Sequence, residues 1–260
     1  MAETIIEYRD VRKRFDAPVL DGVSLSVAKG EILAVVGPSG TGKSVLLKTT
    51  IGLIVPDSGD VFIHGQSVVR ASARELQDIR RTAGYVFQYA ALFDSMNVFE
   101  NVAMGLPENA MKTLGKAEVT RRVREAIEQV NLDPDVVLPK LPSELSGGMK
   151  KRVGFARAIV GKPEILLYDE PVTGLDPVNT AAIDHLIVQI AKSTGVTSLV
   201  VTHDILGVLA IAHRIALLEG GKLRFVGTAD EFRSSPLEIV QAFANREAAS
   251  AAAVRLVEQR

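Results

Sequence analysis

The chain contains no cysteine. That excludes disulfides and thiol chemistry and fits a reducing compartment. It also has almost no net charge: 30 Lys and Arg against 31 Asp and Glu leave −1, which argues against a general binder of nucleic acid or anionic membrane. A long apolar run is missing as well. The most apolar stretch, Ser198 to Leu218, is interrupted by His203, Asp204, His213 and Arg214 and does not read as a membrane span. The first ten residues carry Glu3, Glu7 and Asp10 without an apolar core, unlike a secretory signal. These absences lead to the expectation of a cytosolic protein that works at a membrane only through a partner. What is present suffices for a sizeable core: 260 residues, 47% of them apolar, fit one large domain or two modest ones.

The stretch that organises the rest is Gly37-Pro38-Ser39-Gly40-Thr41-Gly42-Lys43-Ser44, which reads G-x-x-x-x-G-K-S, a phosphate-binding loop. An apolar run, Ile32 to Val36, precedes it as a buried strand, and a helix-compatible run, Val45 to Ile51, follows. Gly37, Gly40 and Gly42 let backbone amides curl toward an anion. A helix starting near Lys43 points its partial positive end at the phosphates. Lys43 supplies a mobile charge for the β- and γ-phosphates of ATP, and Ser44 a hydroxyl for Mg²⁺.

Residues 4 to 36 read as β-rich, with Val23 to Val27 alternating as a half-buried strand should. Asp60 to Gly65 reads as a short strand and turn, and Ala83 to Gln88 as a buried strand ending at Gln88. From about Tyr89 to Lys162 the texture becomes helical; Val119, Val123, Ile127 and Val130 keep close to helical spacing. Strands and helices then alternate again through Ile165 to Tyr168, Pro177 to Lys192, Thr197 to Val201 and Ile215 to Leu218. That alternation implies an α/β layered sheet, parallel at its centre. The expected organisation is a single domain over 1–245, with a helical subdomain at about 89–162 inserted in the α/β core. The Ala-rich tail over 246–260 is expected to be helical, either docking onto something or fraying.

Asp169-Glu170 follows the strand Ile165 to Tyr168. A carboxylate at the end of an apolar strand beside a phosphate loop is a Mg²⁺-coordinating position, which assigns Asp169 to the metal. Glu170 is placed to orient or deprotonate an attacking water. Leu145-Ser146-Gly147-Gly148-Met149 leads into a helix from about Lys150 to Val160. Ser146 is a good helix cap, and the glycines bare backbone amides, so this is a second anion-binding helix start. One ATP does not obviously need both.

The phosphate loop, Gln88 at a strand end, Leu145 to Gly148, Asp169-Glu170, Gly174-Leu175-Asp176 and His203 occur in the order found in ABC transporter ATPase subunits, and the chain resembles them from about Ile5 to Phe243. The resemblance implies a P-loop NTPase (RecA-like) core with an antiparallel β subdomain and a helical signature subdomain. It implies an ATPase with ATP and Mg²⁺ as ligands. It also implies that two copies pack head-to-tail as an ATP-sandwich homodimer, so that Ser146, Gly147 and Gly148 of one cap the ATP held by the other. Phe15 matches the aromatic that stacks on adenine, and Gln88 the residue that touches Mg²⁺ or water and signals to a transmembrane permease. Asp176 matches the aspartate at the dimer seam, and His203 the switch histidine on the γ-phosphate.

One residue departs from the family pattern. Met149 stands where the signature usually has Gln, and a thioether cannot donate a hydrogen bond. The same Met recurs in the subgroup serving Mla/Mce-type lipid transporters, and Phe87 to Ala103 resembles that subgroup more closely than amino-acid or sugar importers. The resemblance then implies permease subunits, a small regulatory (STAS-like) subunit and a membrane-anchored Mce-domain lipid-binding protein as partners. It places the chain at the cytoplasmic face of the inner membrane, peripheral through the permease. A solute importer motor stays open as the alternative. A soluble ABC protein acting on nucleic acid does not fit one phosphate loop and no long heptad run.

Lys150, Lys151, Arg152 and Arg157 form a basic run on the signature helix, expected as a solvated face or a dimer contact. His64, His185 and His213 have no metal-ligand spacing and read as structural or surface residues. Phe93, Met96 and Phe99 form either an apolar knob for a permease helix or local core. Glu75, Asp78, Arg80 and Arg81 read as a charged helix face.

Overall fold

Ile6, Tyr8, Val11, Val23, Leu25 and Val27 are buried and alternate with more exposed polar neighbours, and that period of two builds a hairpin of β1 (Thr4–Arg14) and β2 (Pro18–Ala28). The computed structural model describes residues 3–108 and 110–243. It divides into two units, Met1–Ser72 with Leu199–Arg260, and Ala73–Ser198.

In the first unit β1 pairs with β2 on one side and β4 (Ser58–Ile63) on the other, and β5 (Gln66–Ser67) pairs with β4. The sheet, ordered β2-β1-β4-β5, is antiparallel throughout. A second sheet contains β3 (Ile32–Val36), flanked by β9 (Arg214–Glu219) and by β8 (Thr197–Thr202), whose residues from Leu199 onward belong to this unit. β9 runs parallel to β3 and turns through Gly220-Gly221 into antiparallel β10 (Lys222–Thr228). Every residue of β3 is buried, as a continuous apolar run demands. α1 (Lys43–Thr49) follows the loop after β3. Ile205 and Val208 of α9 (Ile205–Ile211) and Phe232 of α10 (Ala229–Arg233) pack with Ala34, Val36, Ile215 and Leu217 into one core. His213 is structural, as expected: its Nδ1 accepts from the Ile32 amide at 2.9 Å.

The second unit holds α2 (Ala73–Arg81), β6 (Ala83–Val86), α3 (Val98–Ala103), α4 (Ala110–Thr113), α5 (Lys116–Gln129), α6 (Pro134–Val137), a 3₁₀ turn at Pro142–Glu144, α7 (Gly147–Ile159), β7 (Ile165–Asp169) and α8 (Pro177–Thr194). β6 and β7 pair in parallel, with Tyr85 opposite Leu167. The elements described between 89 and 162 are all helical. Glu75, Asp78, Arg80 and Arg81 are exposed on α2, the charged face expected there. β6 stops at Val86 rather than Gln88, because the chain turns at once toward Ala90 and Ala91, which take left-handed backbone at φ 60° and 47°. α7 begins at Gly147 rather than Lys150, because the Ser146 hydroxyl accepts from the Met149 amide at 3.3 Å and brings both glycines into the first turn. The tail expected over 246–260 lies outside the described residues.

Candidate functional site

The phosphate loop is shaped by close approach. A Cβ on Gly37 would sit 2.1 Å from the Leu218 carbonyl oxygen, and one on Gly42 would sit 2.7 Å from that of Val19. Gly42 caps α1 at φ 97°, a backbone conformation that only glycine adopts without strain. Thr41 Oγ1 donates to the Pro38 carbonyl at 2.8 Å. The Lys43 ammonium is buried and donates to the carbonyls of Gly37 at 2.8 Å and Pro38 at 3.1 Å, so the loop holds its cation over its own backbone. Ser39 and Gly40 are exposed; Pro38, Thr41 and Ser44 are half-buried. Phe15 lies exposed between β1 and β2, with Lys13 Nζ 5.5 Å from its ring centre. His203 follows β8 directly, and the next residue, Asp204, caps α9 by accepting from the Gly207 amide.

In the second unit the two carboxylates differ in setting. Asp169 ends β7, buried, and its Oδ2 accepts from the Tyr85 hydroxyl at 2.8 Å. Burial and the Asp169 charge push the Tyr85 phenol up, so it stays a donor. Glu170 is also buried and takes φ 48°, left-handed backbone that costs a non-glycine residue about 1–3 kcal/mol and is stored chiefly at functional sites. The Thr173 hydroxyl donates to Glu170 Oε2 at 3.3 Å.

In the basic run on α7 three of the four cations, Lys151, Arg152 and Arg157, donate to backbone carbonyls, and of the four only Lys151 is buried. Lys151 is buried and donates to the carbonyls of Gln88 at 3.1 Å and Pro171 at 2.7 Å. Arg152 donates to the Val130 carbonyl at 3.1 Å. Arg157 donates to the carbonyls of Ala90 at 2.6 Å and Ala91 at 2.7 Å. Each cation donates to backbone carbonyls of neighbouring segments. Burial pushes the Lys151 ammonium down to about 8, and the Glu170 carboxylate opposes that fall.

The start of α7 is open. Ser146 and Gly147 are exposed, and a Cβ on Gly147 would meet nothing within 4 Å. Gly148 approaches Asn179, whose Oδ1 would lie 3.0 Å from an added Cβ. The Asn179 amides donate to Asp176, the residue that caps α8, and these hydrogen bonds hold the Asp176 carboxyl below its usual range. The second unit thus brings Gln88, Ser146 to Gly148, Asp169, Glu170 and Asp176 into one connected framework. Tyr85, Lys151, Arg157 and Asn179 connect it, and sequence reasoning did not assign them to the site. The available signal was spacing: Lys151, Gly154 and Arg157 recur every three residues, so they share a helix face.

Met96, Phe99, Met104, Leu106 and Met111 line an apolar groove of about 610 Å³ in the same unit. Phe93 is exposed and Met96 and Phe99 half-buried, between the two readings that the sequence left open. Among the described residues no helix is long and apolar enough to cross a membrane, and no three His, Cys, Asp or Glu side chains cluster as a metal site. Taken unit by unit, the first offers the Ser44 hydroxyl beside a glycine cradle that an added Cβ would fill, and the second offers the oxygens of Gln88 and Asp169; hard oxygen donors of this kind suit a divalent cation.

Residues 20–173 match the family model described as ABC transporter. The chain is 41% identical over 233 residues to the sulfate/thiosulfate import ATP-binding protein CysA of Caulobacter vibrioides, covering 89% of this chain and 67% of that one. It is 37% identical over 249 residues to the intermembrane phospholipid transport system ATP-binding protein MlaF of Haemophilus influenzae, covering 93% and 90%. The chain spans about two-thirds of the length of several curated relatives. A solved dimeric structure of the ATP-binding cassette MJ0796, in a post-hydrolysis state bound to ADP and Pi, superposes with a TM-score of 0.79 at 30% identity, covering 86% of this chain and 99% of that one.

Proposed function

This chain belongs to the ABC transporter family, and we propose that it is the subunit whose ATP hydrolysis drives phospholipid transport between membranes and so maintains envelope lipid asymmetry. The fold is that of a P-loop NTPase of the ABC ATPase type, and the domain is an ATPase domain.

In this reading Lys43 and the amides from Ser39 to Ser44 bind the phosphates of ATP, and Phe15 stacks on the adenine. Mg²⁺, held by Ser44, Asp169 and Gln88 when bound, neutralises charge on the phosphates. Glu170 accepts the proton of the attacking water, and His203 contacts the γ-phosphate. Ser146, Gly147 and Gly148 cap the ATP held by a second copy, and Asp176 lies at the seam. The open start of α7 supports that assignment, since its exposed amides have room for a ligand. The chain acts as one ABC domain over 1–245 with its helical subdomain at 89–162. The apolar groove at Met96, Phe99 and Met104 receives a transmembrane permease, which holds the chain at the cytoplasmic membrane face. A STAS-like regulator and an Mce-domain lipid-binding protein complete the proposed assembly.

The observation that carries the phospholipid reading is Met149. It closes the signature with a thioether where the family pattern usually has Gln, and its amide is engaged by Ser146. The 41% identity to a sulfate/thiosulfate importer subunit favours a second reading, a solute importer motor. Tagged Glu170→Gln protein, recovered from native membranes in mild detergent with ATP, separates the two. Mass spectrometry that finds a permease with a lipid-binding partner and phospholipid supports the first. A permease with a soluble solute-binding protein moves the answer to the second, and no membrane protein at all counts against both.

A further inference from the structure

We propose that Lys151 and Arg157 are positioning residues for hydrolysis, fixing the loop of Gln88 and the loop after Glu170 to the face of α7 that they share. The inference rests on the reading of Gln88 and Glu170 given above.

The geometry is specific. Lys151, Gly154 and Arg157 stand three residues apart, on one side of the helix. Lys151 Nζ bridges two loops, donating to the Gln88 carbonyl at 3.1 Å and the Pro171 carbonyl at 2.7 Å. Pro171 directly follows Glu170. Six residues on, the Arg157 guanidinium takes the carbonyls of Ala90 and Ala91 at 2.6 Å and 2.7 Å, and its centre lies 5.9 Å from the Phe87 ring centre. Between the cations Gly154 lets the loop touch the helix: a Cβ there would lie 3.3 Å from both Cα and Cβ of Ala90.

This arrangement goes beyond filling space. Burying an ammonium is unfavourable, and an apolar side chain of the same length would fill the volume without that penalty. What the ammonium adds is donors for two carbonyls on separate loops. Ala90 and Ala91 both hold left-handed backbone, a conformation that persists where the surroundings over-determine it. Arg157 supplies that constraint by binding both of their carbonyls. The helix that carries the two cations also begins with Ser146 and Gly147, the surface assigned to the second copy's nucleotide. A shift of α7 when that nucleotide is engaged therefore moves Gln88 and the Glu170 loop together.

The test uses the full chain with Lys151→Met, Lys151→Gln and Arg157→Lys, beside Glu170→Gln. Amide hydrogen exchange in nucleotide-free protein is read over Gln88 to Phe93, where Lys151→Met and Arg157→Lys are expected to exchange about tenfold faster while most of α5 and α8 stays unchanged. In turnover both lower kcat about tenfold, with KM for ATP within about twofold. Lys151→Gln, whose amide still donates to carbonyls, recovers kcat to within about threefold of wild type. A merely structural loss would speed exchange throughout the unit and would not separate kcat from KM. Wild-type exchange over Gln88 to Phe93 and wild-type kcat in Lys151→Met overturn the inference, even where Glu170→Gln abolishes turnover. Wild-type turnover in Glu170→Gln instead overturns the reading of the site, while the exchange measurement still judges the positioning. If Lys151→Met does not fold, the same two readouts on Arg157→Lys decide.

Discussion

The Tyr85 hydroxyl donates to Asp169 Oδ2 at 2.8 Å, so the carboxylate that ends β7 is held by a side chain of the adjacent parallel strand β6. If Asp169 binds Mg²⁺, Tyr85 orients its ligand, and loss of such an outer partner typically reduces affinity or activity about 10–100-fold. Tyr85→Phe is expected to raise the Mg²⁺ concentration needed for half-maximal ATPase activity by about tenfold. An unchanged Mg²⁺ dependence would remove Tyr85 from that role. The phenol also sets a pH dependence. Its folded value is raised above the ordinary 10.0 by burial and by Asp169, so its contribution to stability is intact below pH 10 and falls as the unfolded chain ionises above it. The stability difference between wild type and Tyr85→Phe should be flat from pH 7 to 9 and shrink above pH 10, as followed by urea unfolding.

Glu170 combines burial, left-handed backbone and a hydroxyl donor from Thr173, while Lys151 brings positive charge nearby. Glu170→Gln keeps the shape and removes the base. Turnover should fall about 10²–10⁴-fold while ATP still binds, leaving a dimer that persists with nucleotide. Size-exclusion chromatography with ATP and a phosphate-release assay check both halves. Hydrolysis near the wild-type rate would show that another group takes the proton.

Lys43 donates to the Gly37 and Pro38 carbonyls, which stations a charge at the centre of the loop. Lys43→Ala removes hydrogen bonds to charged phosphate worth about 1.5–3 kcal/mol, and ATP affinity should weaken about 10–100-fold. Equilibrium binding of a fluorescent ATP analogue reads this directly. Unchanged affinity would break the link between the loop and the nucleotide.

Much of this site is legible in the sequence because its chemistry is local. A glycine-rich loop between a buried strand and a helix needs only neighbouring residues, and Ile32 to Thr49 folds as its pattern reads. Ser146 caps α7 for the same reason. The illegible part is what links distant segments. Lys151 looks like surface charge until Gln88 and Pro171, 63 and 20 residues away, present carbonyls to it. Asn101 is another case. It is fully buried, and its amide accepts from the Phe93 amide and donates to the carbonyls of Phe93, Met96 and Asn97. Nothing in its own window marks it as the residue that shapes the loop beside the apolar groove. Strand and helix ends shifted by two or three residues at β6 and α7, where left-handed alanines and a cap outweighed the apolar pattern.

The glycines of α7 separate folding from function. Gly154 is pressed against Ala90, whereas Gly147 is exposed, with nothing within 4 Å of an added Cβ. Gly147 also lies in the first turn of the helix, where alanine is preferred to glycine by about 0.5–1 kcal/mol. Gly147→Ala should therefore leave the melting temperature unchanged or slightly raised. If the bare amides at Ser146 to Gly148 cap a second copy's ATP, the same methyl group intrudes on the ligand. ATP-dependent dimerisation and turnover should then fall about tenfold or more, as for other losses of preorganised donors to a reacting phosphate. The Gly154→Ala control is expected to do the reverse in part, lowering the melting temperature through its contact with Ala90. A Gly147→Ala protein that dimerises and hydrolyses ATP as wild type would mean that this helix start does not touch nucleotide, and the space in front of it would need another occupant.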